Sequence, residues 1–365
     1  MNEHMPLPPR NEGRSSRAPK AVRPPRKPRR LARFVFSFLL IVIIGLASYA
    51  GYLYIKADNL IGDISNPKEN KVAAAERAQV KPIGLLVLGL DNRQETGSLN
   101  TDVMMAATFN PKTKTATVVS VPRDSTLNLN GYKTRKANAY YARFLSVARS
   151  EKNLTGDEAS QYAKDQMKEM MSEFFGIPID YTAVLDFQGF IDVVDALGGV
   201  NVNVDQDMRY WDNADGTDIN LKKGVQELNG KDALGFVRYR KSKQNITRPS
   251  SDFERNARQD QVLGAIVDKL KSFSSVTKVG GVLDAVGNNL HTDIPKQQIE
   301  NMISTYFRIS KQNIRFIALE GTWKSPYVYL DQTKLDQAKE ALREELRPEG
   351  RPVSEPASSA ATDNG

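Results

Sequence analysis

The stretch Ile83-Gly-Leu-Leu-Val-Leu-Gly-Leu-Asp-Asn-Arg93 indicates the fold class more directly than any other part of the chain. Its first eight residues form an unbroken apolar run, which is typical of a strand buried on both faces of a sheet. The polar residues Asp91, Asn92 and Arg93 end the run. A strand buried on both faces needs helices on each side of its sheet, so the stretch favours an α/β fold.

The rest of the chain alternates between strand and helix patterns. Strands are predicted at 103–109, 115–121, 200–204 and 314–319, and a turn at 110–114 joins the first two as a hairpin. Helices are predicted at 155–175, 187–197, 229–237, 252–270 and 295–307. Thr155 and Glu158 predict a capping box on the first helix, and Thr292 or Asp293 is expected to cap the last. The pattern predicts an α/β domain, a sheet covered by helices.

The first 33 residues hold ten Lys or Arg and two acidic residues, and residues 34–55 carry no charge. A bilayer core takes about 20 helical residues, and basic residues stay on its cytoplasmic side. The pattern predicts a basic, disordered cytoplasmic tail at 1–33 and a transmembrane helix at 34–55. The protein would then be a single-pass type II protein of the cell membrane. A cleaved signal peptide is the alternative, but its apolar core is usually about 7 to 15 residues long.

After the span, a stalk is predicted at 56–80, an extracellular domain at 81–346 and a disordered tail at 347–365. The basic tail accounts for the whole formal net charge of +8, so the outer domain is neutral and nucleic acid is not predicted as a partner. His4 and His291 are the only histidines. A His-rich zinc site is therefore nearly excluded, and a Ser-His-Asp triad would depend on one residue.

Carboxylates and arginines cluster at the ends of the predicted elements. The carboxylates are Asp91 and Asp102, and the cations and one amide are Arg123, Arg238, Arg240, Arg255, Arg258 and Gln259. Ligands of open α/β sheets bind at strand ends, and paired carboxylates with several arginines suit a divalent cation and a phosphate or pyrophosphate. Each cluster by itself is more often a turn, a cap or a solvated ion pair.

Taken in order, these clusters resemble the LytR–CpsA–Psr family of cell-wall ligases. The matching stretches are Leu86–Arg93, Thr101–Met105, Asn110–Lys114, Val119–Asp124, Lys136–Ala139, Gly176–Tyr181, Asp186–Phe190, Val194–Val202, Leu228–Leu234, Val237–Arg240, Asp252–Arg255 and Arg258-Gln259. The match covers residues 81 to 262, and the fit onward to 345 is looser. Many motifs in one order and spacing make the resemblance specific.

The resemblance implies a single LCP-like domain with a central mixed β-sheet flanked by helices, behind a membrane anchor. It implies a Mg²⁺-dependent (or Mn²⁺-dependent) phosphotransferase, which in Gram-positive bacteria moves a glycopolymer from an undecaprenyl-pyrophosphate carrier to a peptidoglycan hydroxyl. The cargo would be wall teichoic acid, capsular polysaccharide or a related glycan.

By motif, Asp91 and Asp102 would hold the metal, and Asp91 would instead, or also, help to activate the acceptor hydroxyl. The resemblance assigns the pyrophosphate to Arg123, Arg238, Arg240, Arg255, Arg258 and Gln259, with Arg123 and Arg238 also catalytic. Asn100 is a departure, since the family often has Arg there and one phosphate contact is lost.

With the resemblance, part of an apolar stripe and of a later helix would line a tunnel for the prenyl chain. The candidates are Met167, Met170, Phe174, Val262 and Ile266, and plain core packing is the alternative for the stripe. Two other functions remain open. The protein could be a phosphatase or pyrophosphatase acting on the same lipid, or a non-enzymatic, membrane-anchored regulator or scaffold of the cell envelope.

Overall fold

The apolar run that begins at Ile83 forms the central strand of the sheet. The computed structural model describes residues 71–93, 98–212, 216–242, 247–272, 282 and 289–351, and its strand β1 spans Ile83–Arg93. Leu86 and Leu88 pack against one layer of helices, whereas Leu85 and Val87 pack on the opposite face. The run is continuous because both faces of the strand are covered, as predicted.

The other elements follow the alternating pattern of the chain. Strands β2 to β6 are Ser98–Asn110, Thr115–Ser120, Tyr181–Asp186, Val200–Val204 and Met208–Asp212. Strands β7 to β12 are Thr217–Leu221, Gly224–Leu228, Leu290–Thr292, Ile314–Ala318, Gly321–Lys324 and Tyr327–Leu330. Helices α1 to α7 are Tyr140–Ser150, Gly156–Phe175, Phe187–Ala196, Gly230–Arg238, Asp252–Ser272, Lys296–Tyr306 and Gln332–Leu346.

The main sheet is mixed and has the strand order β10-β3-β2-β1-β4-β9. β1 is parallel to β4 and β3 is parallel to β10, whereas the β1–β2, β2–β3 and β4–β9 pairs are antiparallel. The carboxyl ends of β1, β3 and β4 therefore meet the start of β2 at one edge of the sheet. This confirms the α/β class and the central mixed sheet, and it brings the polar strand ends together.

Helices cover both faces of this sheet. The main core lies on one face and contains apolar side chains of α1, α2 and α7. On the other face, α5 packs against β1, β2 and β3, and α6 packs against β1 and β4. A second, smaller core joins α3, α4 and β5 to β8 to the middle of α5. Helix α5 thus belongs to both layers, and a site can form where they meet at the sheet edge.

Two predicted helix caps are wrong. The Thr155 side chain makes no capping hydrogen bond, although its helix begins at the next residue. Helix α6 begins after Pro295 without a side-chain cap, because Thr292 and Asp293 bind the neighbouring strand instead. The Asp293 carboxylate accepts from the Thr182 amide at 2.6 Å, and the Thr292 hydroxyl donates to the Thr182 carbonyl at 2.8 Å. The pattern also does not predict helices α1 and α7 or strands β4, β6 to β9, β11 and β12.

The described domain is longer than residues 81–346. Ala78, within the predicted stalk, is fully buried, and its amide donates to Gln298 Oε1 at 3.1 Å. Asn110 Nδ2 donates to the carbonyl of Arg347 at 2.7 Å. The predicted tail at 1–33, the span at 34–55, the first part of the stalk and residues 352–365 lie outside the described residues. Among the described residues, no helix is both long and apolar enough to cross a membrane.

Candidate functional site

A bulge in β2 places Asp102 at the polar edge of the sheet. Gly89 pairs with Val103 and Leu90 pairs with Thr101, so Asp102 is the extra residue between two paired positions. Successive residues of a regular strand point to opposite faces. Because of the bulge, Asp102 and Val103 both line the same cavity, whereas Thr101 is fully buried.

Asp102 forms an ion pair with Arg123. Arg123 Nη1 lies 2.6 Å from Asp102 Oδ1, and both side chains are largely buried. The Arg123 backbone, just beyond β3, is held by the amide of Asn138, which donates to the Arg123 carbonyl at 3.0 Å. Arg123 Nε is buried and has no hydrogen-bond partner among the described residues. The guanidinium thus retains a donor for a ligand.

Arg238 reaches the site from the last turn of α4. Its Nη2 lies 3.9 Å from Asp91 Oδ2, and its guanidinium stacks over the Phe187 ring at 4.2 Å from the centroid. Asn229 begins α4 as an N-cap, accepting from the Asp232 amide at 2.8 Å. The length of α4 therefore determines that Arg238 falls at the sheet edge beside Asp91.

Arg255 is buried near the start of α5 among other cations. Its pKa is lowered to about 10, mainly by burial and also by the positive charges of Arg123 and Arg240, with Asp102 and Asp124 opposing the shift. Three guanidinium groups therefore lie within electrostatic reach of one another. Such a cluster favours a multivalent anion, because the bound anion relieves the repulsion between the arginines.

The structure gives Arg258 a different set of contacts from those of its neighbours. Its Nε and Nη2 donate to the two carboxylate oxygens of Asp205 at 2.7 and 2.8 Å. It also donates to the Tyr239 carbonyl at 3.1 Å and the Ser250 hydroxyl at 2.9 Å. Arg258 is 2% exposed and does not line the cavity. In this structure it joins α5 to the segments around Asp205 and Tyr239, and pyrophosphate binding by Arg258 stays a prediction.

A cavity of about 170 Å³ lies between the sheet and α5. Of the arginine cluster, Arg255 lines it, whereas Arg123, Arg240 and the nearby Asp91 do not. Its polar lining includes Asp102, Arg238, Arg255 and Gln259. Its apolar walls are Val87, Val103 and Met105 of the sheet, Leu185, Phe187 and Phe190 around α3, Leu234 and Val237 of α4, and Val262, Leu263 and Ile266 of α5. Along α5 the lining changes from Arg255 and Gln259 to Val262 and Ile266, so the cavity is polar at one end and apolar at the other.

The predicted lipid-tunnel residues separate into two groups. Val262 and Ile266 line the cavity. Met167, Met170 and Phe174 do not, because helix α2 packs them into the main core on the opposite face of the sheet. Helical periodicity shows which face of α2 is buried but not which face of the sheet it covers, so the sequence could not separate these groups.

Several cavity residues were not selected from the sequence. Phe187 and Phe190 belong to a stretch that carried the family resemblance, yet only their apolar character was visible there.

Asp205, the partner of Arg258, follows strand β5 and has no motif around it. An acidic residue directly after a strand was the available signal, and such residues are more often turn or cap residues.

The carboxylates at the edge of the sheet determine how Mg²⁺ could bind there. No group of three or more Asp, Glu, His or Cys side chains placed to hold a metal occurs among the described residues. Asp91 and Asp102 are the candidate ligands, at neighbouring strand ends. Mg²⁺ commonly binds through one or two carboxylates and completes its shell with water and substrate phosphate oxygens. The residues therefore fit a cation that binds together with a pyrophosphate, and not an all-protein metal cage.

Comparisons with known proteins identify the family of the chain. The model of the LytR_cpsA_psr family matches residues 50–344. The chain belongs to the LytR_cpsA_psr family. The polyisoprenyl-teichoic acid–peptidoglycan teichoic acid transferase TagT of Bacillus subtilis (strain 168) is 31% identical over 357 residues, with 91% of this chain and 98% of that protein covered. Its counterpart TagV from the same organism is 29% identical over 325 residues, covering 85% and 76%.

The fold of this LytR_cpsA_psr protein also matches solved structures. A structure described as TagT bound to LI-WTA is 28% identical and covers 76% of this chain and 95% of that chain, with a TM-score of 0.54. The family expected from the ordered motifs is therefore confirmed, as is its α/β domain with a central mixed sheet.

Proposed function

We propose that this protein is a transferase that moves an anionic glycopolymer from a polyprenyl-pyrophosphate carrier to a hydroxyl of peptidoglycan. One observation carries the proposal: the cavity has Arg255 and Gln259 of α5 at its polar end, beside Arg238 of α4, and Val262 and Ile266 further along α5. This arrangement suits a ligand with a charged head and a long apolar chain. The names of the TagT and TagV relatives, which are teichoic acid transferases, support the proposal.

The arginine cluster would bind the pyrophosphate. Arg123, Arg240 and Arg255 repel one another in the free protein, and a pyrophosphate would replace this repulsion with charge-assisted hydrogen bonds. The exposed Arg240 and the half-buried Arg238 approach from one segment, and Arg123 and Arg255 approach from two others. Catalysis of phosphoryl transfer depends mainly on such positioning and neutralisation of charge.

The reaction follows from this placement. The oxygen of the acceptor hydroxyl forms a bond to the phosphorus that carries the glycan, and the bond from that phosphorus to the bridging oxygen breaks. Prenyl phosphate leaves with the electron pair, and the glycan remains joined to the acceptor through a phosphodiester. The hydroxyl proton needs an acceptor, for which Asp91, 3.9 Å from Arg238 Nη2, is the candidate.

Mg²⁺, or Mn²⁺, is part of the proposal. Asp91 and Asp102 would hold the cation, which would supply additional neutralisation of phosphate charge when bound. The ion pair between Arg123 and Asp102 then has a second role, because it keeps the Asp102 carboxylate compensated before the ligands arrive.

The membrane assignment also remains a proposal. It rests on the uncharged run at 34–55 behind ten basic residues, which would anchor the chain as a single-pass type II protein with the described domain outside the cell. A lipid-linked donor would then reach the cavity from the same membrane.

A transfer assay tests the function directly. The full chain, purified in detergent, is incubated with Mg²⁺, a short-chain prenyl-pyrophosphate glycan and peptidoglycan fragments, and mass spectrometry detects a phosphodiester-linked conjugate. We expect conjugate with the unaltered protein and with Arg209→Ala, which removes a remote Arg–Asp pair, but not with Asp102→Ala or Arg123→Ala. Cleaved donor without conjugate would instead identify a phosphatase. An unchanged donor in every sample would contradict the transferase and favour a non-enzymatic regulator.

A further inference from the structure

Two of the four large apolar side chains that are exposed among the described residues lie on one hairpin. Trp323 of β11 is 51% exposed and Tyr329 of β12 is 49% exposed. The two strands pair with each other and form a two-stranded sheet separate from the main one. Exposed aromatic groups concentrated on one element are typical of a binding surface, whereas isolated ones need no explanation.

The hairpin is attached to the segment that carries Arg123. The Val328 amide donates to the Asp124 carbonyl at 2.9 Å, and the Thr126 amide donates to the Val328 carbonyl at 3.0 Å. Lys136 links the two by its side chain, because its Nζ lies 3.0 Å from Asp124 Oδ1 and 5.5 Å from the centre of the Trp323 ring. The Lys136 ammonium therefore lies between the Trp323 ring and Asp124, the residue after Arg123.

The rest of the hairpin adds aromatic and cationic groups. Tyr327, Tyr329 and Lys324 lie on the face of the hairpin opposite to Trp323, because Trp323 pairs with Val328 and successive residues of a strand alternate between faces. The ring centres of Tyr327 and Tyr329 are 6.4 Å apart, and Lys324 Nζ is 5.9 Å from the centre of the Tyr329 ring. Residues 124–136 and 321–330 together contain four cations, Lys133, Arg135, Lys136 and Lys324, and one carboxylate, Asp124. Aromatic rings with polar tips provide flat apolar faces for sugar rings, and the excess of cations selects a negatively charged chain.

We propose that the β11–β12 hairpin binds the anionic glycan of the donor where it leaves the pyrophosphate site, with Trp323 on one face of the hairpin and Tyr329 and Lys324 on the other. The inference rests on the proposed function, because that function places the first sugar beside Arg123. Trp323, which is linked to the residue after Arg123 through Lys136 and Asp124, then provides an aromatic and basic path for the polymer. The net positive charge favours the phosphate-bearing donor glycan over a peptidoglycan acceptor.

The chain has two tryptophans, and this allows a specific test. Trp211→Phe in the full chain leaves Trp323 as the single tryptophan, and Trp323→Phe leaves Trp211, which stacks with Arg209 on another hairpin. Lipid-free poly(glycerol phosphate) teichoic acid is titrated into each variant in detergent. We expect a saturable change in emission for Trp211→Phe and none for Trp323→Phe. In the Trp211→Phe background, Tyr329→Ala should weaken binding about three- to tenfold, and Lys324→Gln should reduce its dependence on salt.

An emission of Trp323 that does not respond to teichoic acid would overturn the proposal. A response to peptidoglycan fragments and none to teichoic acid would overturn it as well, because the hairpin would then serve the acceptor. The transfer assay separates this inference from the proposed function. With Trp323→Ala we expect the KM for a polymer-bearing donor to rise about tenfold relative to the KM for a donor with one disaccharide. Equal changes in the two KM values would refute polymer binding by the hairpin but not the transferase function. Absence of transfer by the unaltered protein would refute the function but not polymer binding.

Discussion

Arg123 and Asp102 hold each other across the end of the sheet, with Nη1 and Oδ1 2.6 Å apart. The two residues come from neighbouring antiparallel strands, and the bulge in β2 aims the carboxylate at the guanidinium. In the proposed reaction the carboxylate binds a cation and the guanidinium binds a phosphate. The ion pair therefore keeps both groups compensated until the ligands that replace it arrive.

Asp102→Asn should separate anion binding from catalysis. The amide keeps the shape of the side chain but removes the negative charge, so Arg123 and Arg255 become more available to an anion. We expect inorganic pyrophosphate to bind about three- to tenfold more tightly in EDTA, while transfer in Mg²⁺ falls about 100-fold or more. Isothermal titration and the transfer assay measure these effects. Asp218→Asn, which alters the remote pair with Arg209, serves as the control, and weaker pyrophosphate binding by Asp102→Asn in EDTA would contradict the explanation.

Asp205→Ala should destabilise the fold. It removes the bidentate partner of Arg258, whose side chain is 3% exposed, and leaves a buried cation with fewer contacts. Breaking such a pair should lower the free energy of unfolding by about 3 kcal/mol, as measured by urea denaturation. Asp207→Ala is the matched control, because Asp207 is exposed and pairs with Lys222 at the surface, and it should have a much smaller effect. Equal losses in both variants would show that Arg258 does not depend on Asp205.

Val262→Thr should reduce binding of the prenyl chain. The substitution conserves shape but places a hydroxyl in the apolar wall of the cavity, where a bound chain would deprive it of water. We expect affinity for a short prenyl pyrophosphate to fall about tenfold relative to inorganic pyrophosphate, as measured by titration. Val194→Thr makes the same change in the same smaller core, at a position that does not line the cavity. If it lowered the relative affinity equally, the cavity would not be the lipid site.

Asp260→Asn should change the pH dependence of stability. Burial raises the pKa of Asp260 from 3.8 to about 6, against the hydrogen bond that it accepts from the Ser120 hydroxyl at 2.7 Å. The folded state therefore binds more protons than the unfolded state between about pH 4 and pH 6, so the stability linked to this proton is present at pH 4 and lost by pH 6. The amide imitates the protonated acid and can still accept from Ser120.

Unfolding free energies at pH 4 and pH 7 test this expectation. The variant should match the unaltered protein at pH 4 and exceed it by up to about 3 kcal/mol at pH 7. Asp268→Asn, an exposed position on the same helix, should show no such difference between the two pH values. A variant less stable than the unaltered protein at pH 7 would show that the charged form of Asp260 is stabilising.

The sequence is most informative about structure that depends on neighbours along the chain. The apolar run from Ile83 and the hairpin turn at 110–114 were sufficient to predict β1, β2 and β3, because strand length and turn residues depend on neighbours along the chain. Antiparallel pairing then requires Asp91, Asp102 and Arg123 to meet at one edge. The predicted caps at Thr155 and Thr292 were wrong, because residue spacing does not show which hydrogen bond a side chain makes. Thr155 makes no capping hydrogen bond, and Thr292 donates to the Thr182 carbonyl instead.

The sequence by itself determined the α/β class, the polar strand ends and the family, since these follow from spacing and from motifs in a given order. Only the tertiary structure decided that Arg255 faces the cavity while Arg258, three residues later on α5, binds Asp205, 53 positions earlier in the chain. It also placed Met167 and Val262 on opposite faces of the sheet. The physical reason is that a helical pattern identifies a buried face, whereas the partner of that face depends on how distant segments pack.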